Sequence, residues 1–68
     1  MRIKYFPDTD TAHVEFSERE VAETQEVSEN VYVDLDNEGN LVSMTIEHAQ
    51  DTANIREVAF EQMLKRTA

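Results

Sequence analysis

Residues 31–47, VYVDLDNEGNLVSMTIE, alternate apolar and polar side chains on both sides of a turn-rich centre. This alternation limits what the chain can fold into more than any other feature. Val31, Val33 and Leu35 alternate with Tyr32 and Asp34, and Val42, Met44 and Ile46 alternate with Ser43, Thr45 and Glu47. A period of two marks a strand with one buried face, so the segment predicts a β-hairpin. A four-residue loop, 37–40, would set Leu35 opposite Val42, Val33 opposite Met44 and Val31 opposite Ile46. All six apolar side chains then share one face. A three-residue loop would shift the register by one and divide them between both faces, so the pattern selects the four-residue loop. Asn37 and Gly39 tolerate the left-handed backbone that such loops need. The opposite face, carrying Tyr32, Asp34, Ser43 and Thr45, is expected to be the wetter one.

The N-terminal segment follows the same logic. Ile3 and Tyr5 alternate with Arg2 and Lys4, and Ala12, Val14 and Phe16 alternate with Thr11, His13 and Glu15. Pro7-Asp8-Thr9-Asp10 supplies a four-residue loop, with Pro presetting φ for the first central position. Phe6 then meets Thr11, Tyr5 meets Ala12 and Ile3 meets Val14. A turn is expected at Glu18-Arg19-Glu20. Residues 21–27 form a poorer strand, short or absent, because Glu23, Gln25 and Glu26 interrupt it. Charges on a weak strand suit a sheet edge, where they discourage pairing with another molecule.

From Ile55 the period becomes helical, through Val58, Ala59, Phe60, Met63 and Leu64. Asn54 suits the N-cap, with Glu57 as its capping-box partner; Asp51 or Thr52 would start the helix slightly earlier. Lys65 and Arg66 in the last turn favour the helix dipole. The apolar arc is wide, so a helix over 52–66 can cover the sheet with one side and leave Phe60 and Leu64 exposed in a monomer.

The expectation is one α+β domain over 1–68: a four- to five-stranded antiparallel β-meander in residues 1–49, with one C-terminal α-helix packed on one face. Sixty-eight residues lie near the lower limit for a self-sufficient core, and with no cysteine no disulfide can compensate. A homodimer is expected on that ground. No apolar run approaches the ~18 residues of a membrane span and no signal peptide is recognisable, so the expected location is the cytoplasm, away from membranes.

The formal charge of −9 is unevenly spread, with nine acidic residues from Glu15 to Glu38 against Arg19 alone. Phosphates would be repelled, which disfavours nucleic acid, whereas a basic protein would be attracted. Keeping a small protein soluble is the plainer use of the same charge.

Several strings resemble a known family. Ile3-Lys4-Tyr5 followed by Asp8-x-Asp10-x-Ala12-x-Val14-x-Phe16 looks like the opening of the domain of unknown function 2283 family, which tends to read K-Y-D-x-x-x-D-A-L-Y-I-x-L. Glu23-Thr24-x-x-Val27 resembles its E-T-x-x-V. Val33-Asp34-Leu35-Asp36-x-x-Gly39-x-Leu41-Val42 resembles its V-D-Y-D-x-x-G-x-I-V. Ala49 matches the alanine that closes its last strand. The likeness spans about residues 2–49, and its motifs specify turns and alternation rather than chemistry. The chain departs from the pattern at Phe6-Pro7 and at His13. Ser43 replaces a common glycine and Thr45 a common glutamate, so no role of a glutamate at 45 carries over. Some small members resemble antitoxin-like partners of small toxins, which implies a binding module and not a catalyst.

Three residue sets could carry chemistry. Asp34-x-Asp36-x-Glu38-Gly39 looks like the first half of an EF-hand loop, but Thr45 stands where the closing bidentate glutamate belongs and the flanks read as strands. His13 and His48 with carboxylates are the only zinc candidates, yet their spacing lacks metal-site logic and their parities place them on opposite sides of the sheet. Tyr32, Asp34, Ser43 and Thr45 form cross-strand pairs, but no histidine has the parity to activate Ser43. No catalytic, cofactor or metal residue is therefore assigned. The expected function is a non-catalytic acidic module that attracts a basic partner through Glu18, Glu20, Glu23 and Glu26, with Phe60 and Leu64 or a sheet edge adding contacts. The alternatives are a homo-oligomer without partner and a domain binding a divalent metal or small ligand.

Overall fold

The computed structural model describes residues 1–54, 57 and 59–61. Five strands and one helical turn follow in order: β1 Arg2–Phe6, β2 Thr11–Glu15, β3 Glu23–Ser28, β4 Val31–Leu35, β5 Leu41–Glu47 and α1 Ala49–Thr52. The strands form one antiparallel sheet in the order β1-β2-β5-β4-β3. The fold is α+β, and its sheet is not a simple meander. A β1–β2 hairpin and a β3–β4–β5 meander join through β2 and β5, which puts β5 at the centre and β1 and β3 at the edges.

The N-terminal hairpin has the register its alternation predicts, with Ile3 opposite Val14, Tyr5 opposite Ala12 and Phe6 opposite Thr11. The second hairpin pairs Val31 with Ile46, Val33 with Met44 and Asp34 with Ser43, also as the pattern predicts. Its loop differs from the expected four residues. The Asp36 N–H donates to the Asn40 carbonyl (2.9 Å) and the Gly39 N–H to the Asp36 carbonyl (3.1 Å), so the loop is the three residues 37–39. Gly39 takes φ +83°, the left-handed residue that follows a type I turn in such loops. A bulge then sets Leu35 opposite Leu41 and leaves Val42 as the extra residue. The bulge restores the one-residue shift, which is why the apolar set still shares a face. Val42, at 5% exposure, is buried and its carbonyl accepts N–H groups from Phe16 (2.8 Å) and Ser17 (3.2 Å).

The chain leaves β2 through residues 16–22, crosses the ends of β5 and β4, and enters β3 where the Ala22 N–H meets the Leu35 carbonyl (2.8 Å). The weak strand thus forms at Glu23–Ser28, and every residue in it is exposed. A bulge between Glu26 and Ser28 puts Val27 out of register.

The helix begins earlier than the expected 52–66. His48, with φ 50°, is its N-cap in place of Asn54, and Ala53 ends it in extended backbone after one turn. Asn54, Glu57 and residues 59–61 are not helical; the rest of the expected helix lies outside the described residues. Asn54 and Glu57 do meet, but through the Asn54 Nδ2 donating to the Glu57 carboxylate (3.0 Å) rather than as a capping box. Among the described residues the buried apolar positions are Ala12, Val42 and Ala49, and no large side chain is fully buried.

Candidate interaction surface

The register turns the polar face into two rows running across all five strands. One row is Arg2, Glu15, Ser43, Asp34 and Thr24; the other is Lys4, His13, Thr45, Tyr32 and Glu26. In the first row the hydroxyls of Ser43 and Thr24 each donate to Asp34 at 2.6 Å. These two bonds, Ser43 first, hold the Asp34 carboxyl below its ordinary value against the opposing effect of burial, and the nearby His13 helps. Ser43 is 5% exposed, so the centre of this face is drier than its composition suggests. The expected Asp34–Ser43 pair is present, and Thr24 extends it to the sheet edge. In the second row His13 Nδ1 lies 3.2 Å from Thr45 Oγ1. At the β1 end Lys4 pairs with Glu15 at 2.9 Å, a hydrogen bond that lowers the Glu15 carboxyl. Glu47, burial, Glu26 and Glu29 together raise the Tyr32 hydroxyl.

The calcium-like string does not converge. Asp34 faces the polar rows, whereas Asp36 turns into its own loop and accepts the N–H groups of Glu38 (2.9 Å) and Asn40 (2.8 Å). Those bonds, Asn40 first, lower its carboxyl, and Arg19 approaches it at 3.4 Å. His13 sits mid-sheet while His48 caps α1. Among the described residues no group of three His, Cys, Asp or Glu is close enough to hold a metal ion.

The predicted partner-binding residues separate into three places. Glu18 and Glu20 lie in the 16–22 connection and open onto different depressions. Glu18 lines one of 160 Å³ with Arg2 and Glu15, and Glu20 one of 330 Å³ with Arg19, Asp36 and Glu38. Glu23 and Glu26 are both exposed on β3 but on opposite faces, since Glu23 pairs with Leu35 on the apolar side and Glu26 with Tyr32 on the polar side. Phe60 is 82% exposed; Leu64 lies outside the described residues.

One constellation has no counterpart in the sequence reading. Tyr5 donates its hydroxyl to Asp10 Oδ1 (2.6 Å), and Gln50 Nε2 donates to the Tyr5 oxygen (2.9 Å). Asp10, in left-handed backbone at φ 53°, also accepts from the Ala49 and Gln50 main-chain N–H groups. The network ties the β1–β2 turn to the first turn of α1. The only signal for it was the Tyr5, Asp10, Ala12 and Ala49 pattern; nothing pointed to Gln50.

No helix among the described residues is long and apolar enough to cross a membrane. No curated protein and no solved structure matches the chain. A family model, described as Protein of unknown function (DUF2283), matches residues 2–50, from the start of β1 to the glutamine that closes the Tyr5–Asp10 network, and the chain belongs to that family.

Proposed function

We propose that this chain is a non-catalytic interaction module that receives a basic, extended segment of a partner protein along β3. The observation that carries this reading is an edge strand, exposed over its whole length, that bears Glu23 and Glu26. Neither carboxylate has an ion-pair partner among the described residues. An open edge offers main-chain groups, and its side chains select the occupant. Glu18, Glu20 and Glu29 flank the strand and deepen the negative field, which speeds encounter with a cationic partner and repels nucleic acid. The reading places the protein in the cytoplasm with no cofactor, and a small basic toxin, the partner that the family likeness implies, would satisfy it. The test is co-purification from the native host at moderate salt with the wild-type chain and with the Glu20→Lys, Glu23→Lys, Glu26→Lys variant. A stoichiometric basic protein that accompanies only the wild type is the expected result. A companion retained equally by the variant, or one that is itself acidic, contradicts the reading.

Self-association is a second reading, favoured by the exposure of Phe60 and of the apolar sheet face, where Ile3 is 40% exposed. Under it, Phe60→Ser with Leu64→Ser turns a dimer into a stable monomer by light scattering; unchanged mass excludes that interface.

A further inference from the structure

The hydrogen-bond parity of the sheet restricts what β3 can accept. This step rests on the docking role just proposed for that edge. The Glu47 N–H donates to the Asn30 carbonyl and the Phe16 N–H to the Val42 carbonyl, both at 2.8 Å. In an antiparallel sheet the main-chain bonds of one strand alternate between its two neighbours. Counting from those two bonds, β5 turns residues 43, 45 and 47 toward β4. Strand β4 then turns Val31, Val33 and Leu35 toward β3, in agreement with the Ala22 bond to Leu35. Glu23 and Gln25, which pair with Leu35 and Val33, therefore bond inward. The main-chain groups of Thr24 and Glu26 point out of the sheet.

A strand added antiparallel, as in all four existing pairings, bonds to Thr24 and Glu26. Its residues then meet four different surroundings in turn. The first lies opposite Glu26 on the polar face and meets a carboxylate. The second lies opposite Gln25 on the apolar face, with Val33 one strand further in. The third lies opposite Thr24, whose hydroxyl is already given to Asp34. The fourth lies opposite Glu23 and meets the second carboxylate. The Val27 bulge ends the register on one side and the start of β3 at Glu23 ends it on the other. We infer that β3 recognises a short antiparallel segment reading basic, apolar, small polar, basic: Lys or Arg at i and i+3, one on each face of the sheet.

A second copy of this chain does not fit that pattern. In the antiparallel register that bonds Thr24 of one copy to Glu26 of the other, Glu26 lies opposite Thr24 and Glu23 opposite Val27, so neither carboxylate meets a cation. Strand β1 offers cations at Arg2 and Lys4, but these are two apart and share one face, and Lys4 is already held by Glu15.

The test titrates two peptides of equal composition into the full chain labelled for amide NMR. One has the core Lys-Val-Thr-Lys and the other Val-Lys-Thr-Lys, with cations at i and i+2. The first should bind about fivefold tighter, the effect of one added exposed ion pair, and should move the Thr24 and Glu26 amides most. Glu23→Gln and Glu26→Gln are exposed substitutions that leave the fold intact, and each should remove that preference. Equal affinity of the two peptides, with shifts centred on β3, overturns the spacing and leaves the edge as the docking strand. Binding of neither peptide, or shifts confined to the 16–22 connection or the opposite edge, overturns both.

Discussion

The two edges of the sheet are built differently. At β1 the side chains are committed to the protein itself: Lys4 to Glu15, and Tyr5 to Asp10 and, through Gln50, to α1. At β3 the one side-chain tie to the rest of the sheet is the Thr24–Asp34 bond, and the two glutamates face water on opposite sides. The difference separates two uses of polar residues. Those of the β1 side tie elements of the fold together, and those of β3, exposed along the whole strand, are the ones proposed to meet a partner. Substitutions at the two edges should therefore differ in kind.

The largest effect is expected from Asp10→Ala. It removes the side-chain acceptor of two hydrogen bonds, from the Tyr5 hydroxyl and the Gln50 N–H, and puts Ala at φ 53°. A loss of about 2–3 kcal/mol follows, read as a lower urea midpoint. Asp10→Asn, which tolerates left-handed backbone and keeps an acceptor, should lose less than half as much. A loss of the same size for both would mean that the network contributes through the carboxylate charge alone.

Asp34→Ala sharpens the comparison from the β3 side. It leaves the buried Ser43 hydroxyl without its acceptor and unties Thr24, at a cost on the order of 1–2 kcal/mol, reduced because Asp34 is only half-buried. The sign of its pH dependence follows from its lowered carboxyl. The stability from Asp34 is present above the unfolded value of about 3.9 and is lost as pH falls through the lower folded value. Asp34→Asn should flatten the acid decline in urea stability below about pH 4; Glu15 and Asp36, lowered for similar reasons, account for the slope that remains.

Gly39→Ala belongs to neither edge and calibrates both. A Cβ there meets nothing within 4 Å, so the expected cost of about 1 kcal/mol is the left-handed backbone alone. The smallest effect on stability should come from Glu20→Lys, Glu23→Lys and Glu26→Lys together, within about 0.5 kcal/mol of wild type by thermal unfolding. The same variant should lose the basic partner. A large stability loss there would erase the distinction between the edges.

Much of this was legible in the sequence where the determinants are local. Alternation about Pro7–Asp10 and about Asn37–Gly39 placed both hairpins and the partners of Ile3, Val14, Val33 and Met44. The charges of Glu23 and Glu26 marked an edge, but grouping them with Glu18 and Glu20 as one patch overlooks that residues three apart on a strand lie on opposite faces. The three-residue loop was hidden because the Val42 bulge restores the register that a longer loop would give. The β2–β5 pairing was hidden because it joins strands remote in sequence, and hairpin patterns are silent about such neighbours. Gln50 closes its network with Tyr5 across forty-five positions, which no periodicity encodes. The early end of α1 follows from the extended backbone at Ala53, where the helical spacing of the tail had suggested continuity.

The most direct test of the docking edge is residue-by-residue amide hydrogen exchange, with and without the Lys-Val-Thr-Lys peptide at saturating concentration. In the unbound protein the Gln25 amide, bonded to β4, should exchange slowly while Thr24 and Glu26 exchange fast. Adding the peptide should slow Thr24 and Glu26 and leave β1 unchanged. Slow exchange at Thr24 and Glu26 before any ligand is added, or peptide protection that appears on β1 and not on β3, would contradict the account.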